Sequence, residues 1–145
     1  MGYQISNGGY QGTMEATAKG AVEIGVPVTG VTCDIFGSKR PNSFINNELR
    51  TRDYKYRLER LVELGDAYVV LPGSTGTLLE LAMVWELFNK GFIAPKPVIF
   101  LAYFWKPVID TILNSGETDA ACIYIAKDIQ HVVGYLQTKL TSVSK

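Results

Sequence analysis

The sequence predicts an α/β fold, a Rossmann-like three-layer α/β/α domain with a mostly parallel sheet. Three observations predict it. Short apolar runs alternate with helix-length segments along the chain. Two of those runs are nearly continuous in apolar residues, the pattern of parallel strands covered on both faces. Two glycine-rich turns fall between a strand and a helix, beyond the carboxyl ends of the strands, where such sheets bind ligands. The chain has 145 residues, a length that suits one domain with its own core. Residues 1–145 are therefore read as a single domain, with no linker, internal repeat or low-complexity tract.

Taken in order, the first strand is "YQIS" near Tyr3. A helix follows over Thr13 to Ile24, rich in alanine and closed by Gly25, with Pro27 as a breaker. "VPVTGVT" from Val26 is the second strand, and residues 34 to 47 are polar, turn-rich and read as a loop. Tyr54, Leu58, Leu61 and Val62 fall on one face of a helix that closes at Gly65. The strand "AYVVL" from Ala67 leads into a helix over Thr77 to Asn89. That helix is apolar almost all round, so it is expected to be well buried. "KPVIFLA" from Lys96 and "ACIYIA" from Ala121 are the last strands, followed by helices over Phe104 to Leu113 and Asp128 to Leu140.

Composition excludes several function classes. Apolar residues make up 47% and charged residues 19%, with zero formal net charge. That balance offers no electrostatic attraction to nucleic acid or to an anionic membrane. There is no secretory signal pattern and no apolar run long enough to span a bilayer, so the expected compartment is the cytosol. Cys33 and Cys122 are far apart and lack a CxxC spacing, so they are read as small buried hydrophobes. His131 is the only histidine and is read as a helix-surface residue. No metal site is expected.

The chemistry concentrates in the two glycine turns. In "SNGGYQGTMEATAKGA", Gly8, Gly9 and Gly12 permit positive φ and close backbone approach. The helix that follows presents free N–H groups suited to an anion. In "VVLPGSTGTLLELAMVWE", Pro72 ends the strand, and Gly73 and Gly76 permit a tight turn. Ser74, Thr75 and Thr77 place hydroxyls beside the start of a new helix, an arrangement that can cradle a phosphate. The Walker A lysine is absent, which disfavours a nucleotide triphosphatase. Glu80, four residues after Gly76, falls in the first turn or so of that helix. It can serve as a favourable helix-start acid or as a catalytic carboxylate. Arg57 belongs to a basic run with Arg50, Arg52, Lys55 and Arg60, whose composition alone reads as a solvated face.

"PGSTGTLLE" (Pro72 to Glu80) resembles the PGGxGTxxE signature of the LOG proteins, within the Rossmann-like SLOG nucleotide-binding superfamily. "GGYQGTMEATAKGA" resembles the GGxxGLMG-type turn of that family, and "RLERLVELGDAYVVLPG" resembles its arginine-bearing segment. The match runs in order from about Tyr3 to Phe100. The resemblance implies a cytokinin riboside 5′-monophosphate phosphoribohydrolase, which cleaves an N-glycosidic bond to release free base and ribose 5-phosphate. It implies catalytic roles for Arg57 and Glu80. It implies nucleotide binding by Gly73, Gly76 and Thr77, and by Gly8, Gly9, Gly12 and Met14; Ser74 and Thr75 join the same loop as hydroxyl donors. It implies an AMP-like ligand, no cofactor and a homo-oligomer, typically a dimer. The family's other label, "possible lysine decarboxylase", is not expected to describe the chemistry, because no lysine lies in a recognisable Schiff-base site.

Two departures from the pattern stand out. Ser74 replaces the second glycine of PGG. Family members also begin with a further strand, turn and helix ahead of the position of Tyr3, so this chain is expected to be N-terminally short. Three hypotheses follow: a LOG-like hydrolase, a non-catalytic nucleotide-binding or sensing module, and an inactive oligomeric remnant.

Overall fold

A computed structural model describes residues 2–116 and 120–140. The chain forms two compact units, Met1–Gly65 and Asp66–Lys145. Each contains a three-stranded sheet in which every pairing is parallel. The parallel α/β class read from the sequence is the fold of the protein.

The first unit runs β1 (Ile5–Asn7), α1 (Thr13–Glu23), β2 (Val28–Cys33), a 3-10 turn (Asp34–Phe36), β3 (Asn47–Thr51) and α2 (Tyr54–Leu64). Its sheet has the order β1-β2-β3. Ala18 and Ala21 of α1 pack on Val28 of β2, with Ile5, Val26, Phe44 and Ile45 around them. The alanines have a role here: small side chains let the helix lie close to the strand. Asp53 caps α2 by accepting from Tyr56 N at 2.8 Å, and Gly65 closes the helix as expected.

β3 is absent from the sequence reading, and its polar stretch, Asn47–Thr51, explains why. It carries no apolar period. It forms because β2 offers a backbone ladder, in register from Thr29↔Asn47 to Cys33↔Thr51. Side chains add to the pairing. Thr51 Oγ1 donates to Thr32 O at 2.8 Å, and Thr32 Oγ1 donates to Glu48 Oε1 at 2.5 Å. Two parallel neighbours need a long crossover, which is the work of residues 34–46.

The second unit runs β4 (Tyr68–Val70), α3 (Thr75–Asn89), β5 (Val98–Leu101), α4 (Ala102–Leu113), β6 (Ile123–Ala126) and α5 (Ile129–Leu140). β5 lies between β4 and β6. All four residues of β5 are buried, as its continuous apolar run predicts. The "AYVVL" run departs from that expectation, because Val69 is 40% exposed. β4 ends the hydrogen-bond order of its sheet, where cover is not required on every side. α3 also departs from the all-round burial expected of it. Leu81, Val84 and Trp85 are buried, whereas Leu78 and Leu79 are 37% and 44% exposed. Trp105 Nε1 donates to Leu71 O at 2.9 Å, fastening α4 to the residue that precedes Pro72. Among the described residues no helix is long and apolar enough to cross a membrane.

Burial, and secondarily the Asp66 carboxylate, push the Tyr68 phenol from its ordinary 10.0 up to about 12. Between those values the unfolded chain has lost this proton while the native chain keeps it. Stability should therefore fall as pH rises from about 10 to 12, with no contribution from this group below pH 10. Urea denaturation across that range should show a shallower fall for Tyr68→Phe than for wild type; equal slopes would contradict the assignment.

Candidate functional site

In the first unit the glycine turn between β1 and α1 meets Arg57. The basic run read as a solvated face is not one at this position: Arg57 is 4% exposed. Its Nε donates to Val31 O at 2.8 Å, and its Nη2 donates to Gly8 O at 3.4 Å. The guanidinium carbon lies 5.9, 5.7 and 5.8 Å from the ring centroids of Tyr10, Phe36 and Tyr54. Residue 57 is on the first turn of α2, on the buried side of the helix with Leu58 and Val62. The other members of the run differ. Arg50 sits on β3 and pairs with Asp34, and Arg60 pairs with Glu63 on the surface.

The glycines of this turn have separate reasons. Gly9 and Gly12 have φ of 78° and 76°, the left-handed region. Gly8 does not. A Cβ at Gly8 would fall on Arg57 Nη2 and lie 2.7 Å from Met14 Sδ. What Gly8 admits at close range is thus the protein's own arginine and methionine. Gly30, inside β2, serves the same turn: a Cβ there would be 3.0 Å from Gly9 Cα. Asn7 Oδ1 accepts from Gly9 N at 2.8 Å, and Asn7 Nδ2 donates to Met14 O at 3.0 Å. Buried Asn42 donates from Nδ2 to Tyr10 O at 2.8 Å and from its backbone N to Gly9 O at 2.8 Å. The loop read as merely polar therefore anchors the turn. The Tyr10 hydroxyl accepts from Cys33 N at 2.9 Å, so the ring beside Arg57 is held at both ends.

In the second unit α3 begins at Thr75, two residues before the start expected from sequence. Thr75, Gly76 and Thr77 form its first turn, and Glu80 lies in the second. Ser74 is the N-cap residue, extended at φ −103° and ψ −159°. That conformation suits serine, so its replacement of glycine introduces no backbone strain. The Ser74 hydroxyl makes no capping hydrogen bond, which leaves the first-turn N–H groups without a side-chain cap. Gly73 is required for a different reason. A Cβ there would overlap Thr77 Oγ1 and lie 2.7 Å from Thr77 Cβ. The helix start folds back over Gly73. Glu80 is partly buried.

The structure thus brings Arg57, Gly8 and Met14 together in one unit, and Gly73 and Thr77 together in the other. Gly30, Tyr10, Phe36, Tyr54 and Asn42 were missed by sequence reasoning. Gly30 left a signal, a glycine inside a strand; Phe36 left a weaker one, an aromatic in a polar loop. Cys33 and Cys122 are buried, as expected. His131 is exposed on α5 and lies 2.8 Å from Asp128. Hydrogen bonds from its backbone and then its side chain hold the Asp128 carboxyl below its ordinary range. A shallow hollow beside it, lined by Tyr124, His131, Tyr135 and Lys139 among others, includes none of the expected site residues. Among the described residues no group of three or more His, Cys, Asp or Glu side chains is gathered to hold a metal.

Residues 14–136 match the family described as possible lysine decarboxylase. The chain belongs to this family, the LOG family. Solved structures share its fold. The molybdenum cofactor carrier protein from Chlamydomonas reinhardtii has a TM-score of 0.73 at 21% identity, over 97% of this chain and 79% of that one. The molybdenum cofactor binding protein from the phototrophic bacterium Rippkaea orientalis has a TM-score of 0.73 at 18% identity, over 94% and 77%. No curated protein matches the chain. The Arg57 seat can be tested through Gly8. Gly8→Ala should fold, since Gly8 needs no left-handed φ, but its methyl occupies the place of Arg57 Nη2. Stability should fall by about 1–3 kcal/mol, as for other overpacked sites, and the Arg57 Nε–H signal in a nitrogen–proton NMR spectrum should move. An unchanged signal would refute the contact.

Proposed function

We propose that this chain binds an AMP-like nucleoside 5′-monophosphate and hydrolyses its N-glycosidic bond, releasing free base and ribose 5-phosphate. The observation that carries the reading is the seat of Arg57. An arginine in the position of the family's catalytic one is buried and bonded to Val31 O and Gly8 O, where composition alone suggested a solvated charge. The uncapped first turn of α3 supports the phosphate role: its N–H groups and the helix dipole suit an anion, and Ser74, Thr75 and Thr77 add hydroxyl donors. Glu80, on the same helix, takes the carboxylate role. Cleavage builds positive charge on the ribose ring, which an ionised carboxylate stabilises while aligning water. Phosphate binding remote from the broken bond positions the sugar. Arg57, buried and bonded to Val31 O and Gly8 O, takes the arginine role of that chemistry as a fixed positive charge beside the β1–α1 turn. Gly9, Gly12 and Met14 shape the turn against which Arg57 rests.

A second reading has one observation in its favour. The structural neighbours are described as a carrier and a binding protein. In that case the chain would hold a small molecule as cargo without cleaving it. One experiment separates the two. Purified protein incubated with AMP or isopentenyl-AMP should release free base, and Glu80→Gln should lower the rate about 100-fold or more, the scale of a lost general acid–base group. Calorimetric binding without release supports the carrier reading, and neither binding nor release sinks both. We also infer self-association, since Leu78 and Leu79 expose apolar surface on α3; a monomeric mass by light scattering would contradict it.

A further inference from the structure

We propose that Phe36, a residue outside every motif in the chain, is a positioning residue for Arg57, and that the turn carrying it sets how firmly the chain holds an anionic ligand. The second part rests on the proposed role of Arg57 in that chemistry; the first does not. Three rings surround the guanidinium, and Phe36 joins them. It meets Tyr10 edge-on at 5.5 Å and 82°, and Tyr54 edge-on at 5.6 Å and 72°. Such edge-to-face pairs are the preferred geometry of aromatic contacts. The Phe36 centroid lies 5.7 Å from the guanidinium carbon, at the same range as the other two.

The other two rings have anchors of their own. Tyr10 is fixed by its hydroxyl at Cys33, and Tyr54 is part of α2. Phe36 instead hangs on the 3-10 turn Asp34–Phe36. That turn is tied down by the Asp34–Arg50 pair and closed by Gly37 at a φ of 67°. Its ring is only partly buried, and its neighbour Ile35 is 60% exposed. The turn is therefore the one wall of the cage built from an exposed loop. A shift in it changes the surroundings of the guanidinium without disturbing a helix or strand.

The test uses the full chain and two variants, Phe36→Leu and Phe36→Met, which keep apolar bulk but remove the π-face. Phe36→Tyr restores the ring. In the first two, the Arg57 Nε–H signal should shift and exchange faster with water while circular dichroism stays native. AMP affinity should fall several-fold, because a guanidinium no longer held in one place loses preorganisation. Phe36→Tyr should recover both. A folded Phe36→Leu or Phe36→Met with an unmoved Arg57 signal would overturn the proposal, as would a folded Phe36→Tyr that behaves like Phe36→Leu. If wild type binds no AMP, the ligand reading fails while the Arg57 signal still decides whether Phe36 positions it. If both ring-less variants unfold while Phe36→Tyr is native with wild-type binding, the ring is structural and the positioning role is refuted.

Discussion

Arg57 is a full positive charge taken out of water, and the first unit is organised around making that tolerable. Moving such an ion into a protein interior costs several kcal/mol even after relaxation. Hydrogen bonds from a charged donor return about 1.5–3 kcal/mol each, and a desolvated cation–π contact about 2 kcal/mol or more. Two carbonyl oxygens and three rings are among the groups that offset the cost. A guanidinium is suited to the place, being planar and more weakly hydrated than an ammonium. Every residue that shapes this seat is constrained by it: Gly8 by bareness, Tyr10 by its hydroxyl tether, and the 34–46 crossover by the need to deliver Phe36 and Asn42.

The two glycine turns share an uncapped helix start and differ in what else they hold. In the first, several backbone groups are bonded to the protein's own side chains. Gly8 O accepts from Arg57, Gly9 O and Tyr10 O accept from Asn42, and Gly9 N donates to Asn7. Both helix starts, at Gly12 and at Ser74, make no side-chain capping hydrogen bond. Both turns thus present N–H donors at a helix start, and the first also holds protein groups in place.

Much of the fold was legible in the sequence, because its strongest signals are local. β5 reads as a buried strand since all its residues are apolar, and α2 reads as a helix from the spacing of Tyr54, Leu58, Leu61 and Val62. β3 was not legible. Its pairing comes from a neighbour's backbone ladder, which no periodicity records. The exposure of Val69, Leu78 and Leu79 was hidden for a related reason: hydrophobicity states what a residue prefers, whereas sheet order and helix rotation decide what it receives. At the candidate site the signature stretch Pro72 to Glu80 was readable; the burial of Arg57, in a run whose composition reads as a solvated face, was not. The reason for Gly8, and the roles of Phe36 and Asn42, were not.

Alone, the sequence determined the α/β class, the order of most elements, the LOG-family signature and the candidate residues. These depend on local periodicity, turn chemistry and motif spacing, all of which are properties of neighbouring residues. Tertiary structure decided that Arg57 is buried rather than solvated, that β2 and β3 pair, and that Ser74 caps α3 in position but not through its hydroxyl. Those outcomes depend on which distant groups come within a few ångströms. Gly8 and Arg57 are 49 residues apart in the chain, and only folding makes the absence of a side chain at one a condition for the placement of the other.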